Sequence, residues 1–236
     1  MRSLISLRRV TVKEETEALK ISKSLFNYWS PHIVGDLDKV TLLLDSVISQ
    51  YLDPKRHYHS ILHISSMWDT YKQFFPELYK DTEISRKVLT AIVFHDAIYI
   101  QGAPNNEYLS SLLLSEFLDL TDMRDEDIVE AVLTTSLDYT PITFLGRLLR
   151  DLDFSVFSYI TTHRKRMQVL RLLRNELSSI KENLFYKGRL AFLESLPKEL
   201  YYLDEFKVLN SLARDNIELT IDYLKVKINN SSSERM

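Results

Sequence analysis

Three of the chain's six histidines lie between positions 57 and 63, in Arg56-His57-Tyr58-His59-Ser60-Ile61-Leu62-His63-Ile64, and a fourth adjoins an aspartate in Phe94-His95-Asp96. Imidazole and carboxylate groups are the nitrogen and oxygen donors that hold a divalent metal ion. His95-Asp96 falls within an apolar run that includes Val88, Leu89, Ala91, Ile92, Val93, Phe94, Ala97 and Ile98. An ionised carboxylate there costs about several kcal/mol unless a cation or a hydrogen-bonded partner compensates it. On a helix His59 and His63 lie one turn apart on one face. That spacing either chelates one metal with both rings or puts one ring on the metal and the other in the pocket wall. His57 cannot share the face and belongs at the helix start. A further carboxylate is offered by Arg150-Asp151-Leu152-Asp153-Phe154, flanked by core-like Leu148, Leu149 and Leu152. One of the two aspartates points inward, and spacing alone does not choose between them.

The elements that carry these groups are helices. Four glycines and six prolines in 236 residues leave long uninterrupted segments, and apolar residues recur at three- and four-residue spacing with no alternating strand pattern. The periodicity predicts helices over 14–28, 37–52, 58–75, 83–99, 106–119 and 125–137. An element follows that opens at Pro141 and carries Leu145 to Phe154, then helices over 162–183, 186–196 and 201–226. Pro31, Asp53-Pro54 and Pro76 punctuate the first three. Asn105 or Asn106 caps the helix at 106, and the acidic cluster Asp122, Asp125, Glu126 and Asp127 suits a helix start. The fold class expected is all-α, a single-domain helical bundle over residues 14–226, with an N-terminal extension at 1–13 and a flexible polar tail at 227–236. No internal repeat, linker or shift in composition marks a second domain.

Composition excludes several alternatives. Cysteine is absent, which removes disulfides, thiolate metal sites and a thiol nucleophile and fits a reducing, cytoplasmic location. The net charge of −3 gives no bulk attraction to nucleic acid. The local basic group Arg164, Lys165, Arg166, Arg171 and Arg174 reads as a solvated helix face or as a phosphate-attracting rim. No apolar run approaches the ~20 residues of a membrane span, and Arg2, Arg8 and Arg9 are not followed by the apolar stretch of a secretory signal.

In order along the chain, His59, His95-Asp96 and a distant aspartate resemble the H…HD…D signature of the HD-domain superfamily of metal-dependent phosphohydrolases. The chain is most similar to one predicted phosphohydrolase subgroup. The shared segments are Arg56-His57-Tyr58-His59…His63-Ile64, Phe94-His95-Asp96-Ala97-Ile98-Tyr99, and Asn106-Glu107 with Ser110. Further along come Asp151-Leu152-Asp153, Arg174-Asn175-Glu176, Phe185…Gly188-Arg189 and Ala213-Arg214…Asn216. The resemblance spans most of residues 14–224. It implies His59, His95, Asp96 and Asp153 as metal ligands, because the family's aspartate usually precedes a hydrophobic residue, here Phe154. Asp151 is the second candidate, and His63 goes to the pocket wall. Two positions depart from the pattern. Ser136-Leu137-Asp138 follows Thr135 where relatives often have histidine, and Asn105 stands where they tend to have aspartate.

The activity implied is hydrolysis of a phosphomonoester or phosphoanhydride, on a small phosphorylated substrate such as a nucleotide. The cofactor is a divalent ion, one of Mn, Mg, Co, Ni, Fe or Zn. Asp96 would bind the metal and orient the attacking water, Glu107 would act as base or proton shuttle, and Arg56, His57 and His63 would contact phosphate. The alternative is a non-catalytic HD-fold protein that binds metal or nucleotide. No strong nucleic-acid binding and no membrane association are expected.

Overall fold

The computed structural model describes residues 9–123 and 125–233. They form thirteen α-helices in chain order: α1 (Val12–Trp29), α2 (Leu37–Gln50), α3 (Ile61–Phe74), α4 (Pro76–Lys80), α5 (Thr82–Phe94), α6 (Asn106–Leu118), α7 (Glu126–Leu133), α8 (Phe144–Phe154), α9 (Val156–Tyr159), α10 (His163–Glu176), α11 (Glu182–Ser195), α12 (Asp204–Lys207) and α13 (Asn210–Ser233). A 3₁₀ turn, Ser30–His32, follows α1. The only β pairing among the described residues is one isolated bridge between Ile33 and Thr121. The all-α class expected from the periodicity is what the chain adopts.

Local chemistry starts several of these helices. Thr11 and Glu14 form a reciprocal capping box at α1, and Asp36, Asp81, Asp125 and Thr162 each accept a first-turn backbone N–H at α2, α5, α7 and α10. Such caps satisfy donors that have no partner within the helix. Chain contacts divide the protein into two compact units, Met1–Leu152 and Asp153–Met236.

In the first unit α5 is the central element, packed against α1, α2, α3, α4, α6 and α7. Its residues from Val88 to Phe94 are all buried, as a segment apolar all round requires. Burying each large side chain here contributes about 1.5–3 kcal/mol. The one polar group in that run, Thr90, accepts from Trp29 Nε1 at 2.7 Å and donates to Arg86 O. In the second unit α13 packs against α9 and α11, and Asn216 of α13 donates to Phe157 O at 2.9 Å.

Several boundaries differ from the expected ones. The third helix begins at Ile61, not 58, and the helix expected to run to residue 99 ends at Phe94. The segment expected as one helix over 201–226 is a short α12 followed by α13, because Leu209 and Ala213 bond back to Phe206 and Leu209 carbonyls across the junction. Helix α13 continues to Ser233, through positions where a flexible tail was expected, and Val12 and Lys13 of the expected N-terminal extension belong to α1. Residues 1–8 and 234–236, the rest of those two segments, lie outside the described residues.

Candidate metal centre

The centre is built where the C-terminal end of α5 meets the loop leading into α3. Ile61 N donates to Tyr51 O at 3.1 Å, and Ser60 takes the N-cap position of α3 in an extended conformation. His63 therefore sits in the first turn of α3, while His57 and His59 precede the helix, half-buried in the loop. At the facing end, His95 is the C-cap of α5 and Asp96 is the first residue beyond it.

This arrangement brings His63, His95 and Asp96 together: one donor atom from each lies within 4.8 Å of the others. His95 is 1 % exposed, and the Asp96 side chain is 13 % exposed. The His95 Nδ1 is 2.7 Å from Ile92 O. A carbonyl only accepts, so Nδ1 carries the proton and Nε2 is turned toward Asp96, 3.0 Å from Oδ2. Fixing one ring nitrogen on a backbone carbonyl is how metal-binding histidines are commonly oriented.

The donor set fits a divalent cation. Ligand distances of about 2.1 Å place adjacent octahedral donors about 3.0 Å apart and opposite ones about 4.2 Å apart. The His95–Asp96 separation of 3.0 Å matches an adjacent pair, and the His63 donor lies within 4.8 Å of both. Burial alone would push the Asp96 carboxyl up. With no cation bound, the positive charges of protonated His95 and His59, the hydrogen bond that protonated His95 Nε2 donates and the charge of His63 outweigh it and hold the group well below the ordinary carboxylate range. The carboxylate is thus ionised in a setting that favours positive charge beside it.

His59 was expected as a ligand and His63 in the wall; the triad instead contains His63. With α3 beginning at Ile61, His63 stands in its first turn while His59 precedes the helix, and the charges of both act on Asp96. His59 stays beside the triad, its ring 6.2 Å from that of His63 and tilted 31° against that of Tyr99 at 4.5 Å. Tyr58 packs its ring on both histidines, at 4.8 Å from His59 and 5.4 Å from His63.

Arg56, expected at the phosphate, is 5 % exposed and donates to the carbonyls of Asp96 (2.7 Å) and Ala97 (3.1 Å). The segment after Asp96 is tied from α6. Ser110 bonds both the N–H and the carbonyl of Ile98, and Asn106 does the same for Ile100. Asn105 occupies the N-cap of α6 without a side-chain cap bond. Glu107 follows Asn106 in the first turn, half-buried. In α8, Asp151 is fully buried in the first unit, whereas Asp153, half-buried, opens the second unit.

Sequence reasoning gave no role to Tyr51, Tyr58 or Tyr99. Tyr51 OH donates to Val93 O at 2.7 Å. Burial, then the nearby Asp96 charge, pushes its hydroxyl well above the ordinary value, so it acts as a neutral donor. The available signal was its place as the last core position of α2, next to the histidine stretch. The motif residues of the second unit make structural ties there: Arg174 caps α10 at Leu177 O and lies over Phe185, and Arg214 donates to Leu196 O and Lys198 O. Comparison of the chain with protein-family models, with curated proteins and with solved structures gives no match. Among the described residues no helix is long and apolar enough to cross a membrane.

Proposed function

We propose that the chain is a metal-dependent phosphohydrolase acting on a small phosphorylated substrate, with nucleotides the first class to test. The observation that carries this reading is the convergence of His63, His95 and an ionised Asp96 at the end of α5. A divalent cation held there would neutralise phosphoryl charge and acidify a coordinated water. The residues of the chain do the rest. Asp96 orients the attacking water through its second carboxylate oxygen, and Glu107 takes up the proton that water releases. His59, the imidazole beside the triad, holds a proton for the leaving oxygen at its ring nitrogen. His57 lies in the same loop, where it can meet phosphate.

The test is phosphate release from a generic aryl phosphate and a nucleotide panel, with Mn²⁺, Co²⁺, Mg²⁺, Ni²⁺, Fe²⁺ or Zn²⁺ added after chelator treatment. Turnover that depends on the metal and is lost in Asp96→Ala supports the reading. Tight metal binding with no turnover of any phosphoester or phosphoanhydride refutes it in favour of a metal- or nucleotide-binding protein without catalysis.

A further inference from the structure

We infer that Arg56 is a positioning residue that fixes the direction of the Asp96 carboxylate, and that it does not meet substrate. The inference rests on the metal-centre reading above. Helix α5 ends at Phe94, and the last carbonyls of a helix have no partner within it. Asp96 therefore sits on backbone that helical bonding does not hold. Arg56 supplies what is missing. Its two terminal nitrogens reach the carbonyls of Asp96 and Ala97 at 2.7 and 3.1 Å, so the peptide that carries the ligand is tied at its own oxygen.

The neighbouring ties leave this place to Arg56. Tyr51 takes the carbonyl of Val93, Ser110 takes Ile98 and Asn106 takes Ile100. Arg56 covers Asp96 and Ala97 between them. The planar fork of a guanidinium spans two successive carbonyls, which the point charge of a lysine does not. The fork is itself held, 5.0 Å from the Tyr51 ring centroid and 5.6 Å from that of Tyr99. Tyr99 in turn packs against His59. One buried guanidinium thus braces the Asp96 ligand directly and the His59 ring through Tyr99. A phosphate contact would require those two nitrogens to leave the backbone, and a side chain only 5 % exposed is not presented for that.

The experiment measures Mn²⁺ binding by calorimetry to the full chain after chelator treatment, for wild type, R56K, R56Q and Y51F. Circular dichroism checks that each is folded. Loss of an outer hydrogen-bond partner of a metal ligand weakens metal affinity by about 10–100-fold, and R56K and R56Q are expected to fall in that range. Y51F removes a hydroxyl that bonds Val93 O and lies against Arg56 and Asp96 but keeps the guanidinium on both carbonyls, so it should weaken binding less than either Arg56 variant. At saturating Mn²⁺ the Arg56 variants should lower kcat with KM unchanged. Wild-type Mn²⁺ affinity in R56K and R56Q, or a raised KM with kcat unchanged, overturns the inference. If neither Arg56 variant folds, Tyr99→Leu is used, which keeps the guanidinium but removes one ring beneath it: weaker Mn²⁺ binding supports the inference and unchanged binding overturns it. A chain whose Mn²⁺ affinity depends on Arg56 but which hydrolyses no phosphoester refutes the proposed function and leaves the positioning role standing. A wild-type chain that binds no Mn²⁺ overturns both.

Discussion

Replacing the two histidines of the Tyr58–Ile64 stretch one at a time is the sharpest test of the metal centre, because the motif resemblance makes His59 the ligand while His63 is the one whose donor lies near those of His95 and Asp96. His63→Ala removes a donor that lies within 4.8 Å of the His95 and Asp96 donors. His59→Ala removes a neighbour that acts on Asp96 through charge. Four-ligand protein sites bind metal with about 10–16 kcal/mol, or about 2.5–4 kcal/mol per ligand. A site that shares its ion with water lies at or below the lower end, so His63→Ala should weaken affinity about 100-fold. At metal concentrations 100 times the wild-type Kd, binding stabilises the folded state by about 2.7 kcal/mol. The same concentration only equals the Kd of His63→Ala, and the gain falls to about 0.4 kcal/mol. For a unit of about 150 residues, 1 kcal/mol moves Tm by about 2–4 °C. The metal-induced shift should therefore be about 5–10 °C for wild type and about 1 °C for His63→Ala. His59→Ala should keep most of the shift while losing about 10²–10⁴-fold in turnover as a proton donor. Differential scanning fluorimetry across a Mn²⁺ series reads both variants. A full shift in His63→Ala with its loss in His59→Ala would restore His59 as the ligand and refute the reasoning from the helix start.

Asp151→Asn, at a fully buried carboxylate, should leave Mn²⁺ affinity nearly unchanged and act on stability; calorimetry that finds a loss of about 10-fold or more would make Asp151 a ligand. Gly146→Ala should destabilise by about 2–5 kcal/mol in denaturant titration, because a Cβ there displaces the Glu130 carboxylate that holds Ile142 N and Thr143 Oγ1. Two bonds to a charged acceptor are worth about 1.5–3 kcal/mol each when intact, set against about 1 kcal/mol gained from replacing helical glycine. The folded-state pKa of Asp96 lies below its unfolded value of about 3.9, so its contribution is present above about pH 4 and is lost as pH falls through the folded pKa. In metal-free protein the stability gap between wild type and Asp96→Asn should accordingly be widest above about pH 5 and narrow in acid. Random duplex DNA should bind more weakly than about micromolar at physiological salt, as fluorescence anisotropy will read.

The parts of this architecture legible in the sequence are those decided by periodicity and caps. The apolar run around Val88 to Phe94 announces a fully buried helix, and it is the centre of the first unit. The acidic cluster before α7 reads as a helix start, and Asp125 caps it. The burial of His95 beside Asp96 follows from the same run. The second compact unit was not legible, because α8 carries the chain across the boundary at Leu152–Asp153 without a linker or a change of composition. Local signals do not report which contacts a continuous helix makes.

The assignment of His59 and His63 turned on a boundary three residues wide. The spacing His-x-x-x-His is visible in the sequence, but its meaning depends on whether both rings stand on one helix. Ser60 is a residue that favours an N-cap, yet its side chain makes no cap bond, so the start of α3 does not come from local capping. It comes from Ile61 N bonding Tyr51 O and from Arg56, in the same loop, bonding the carbonyls beyond α5. Those contacts join residues up to 41 positions apart. They leave His59 in the loop beside Tyr99 and put His63 in the first turn of α3, with Asp96 in reach of the charge of both. The positions of two histidines four residues apart are thus set by tertiary hydrogen bonds as well as by their spacing, and they become readable only once the end of α5 is in place.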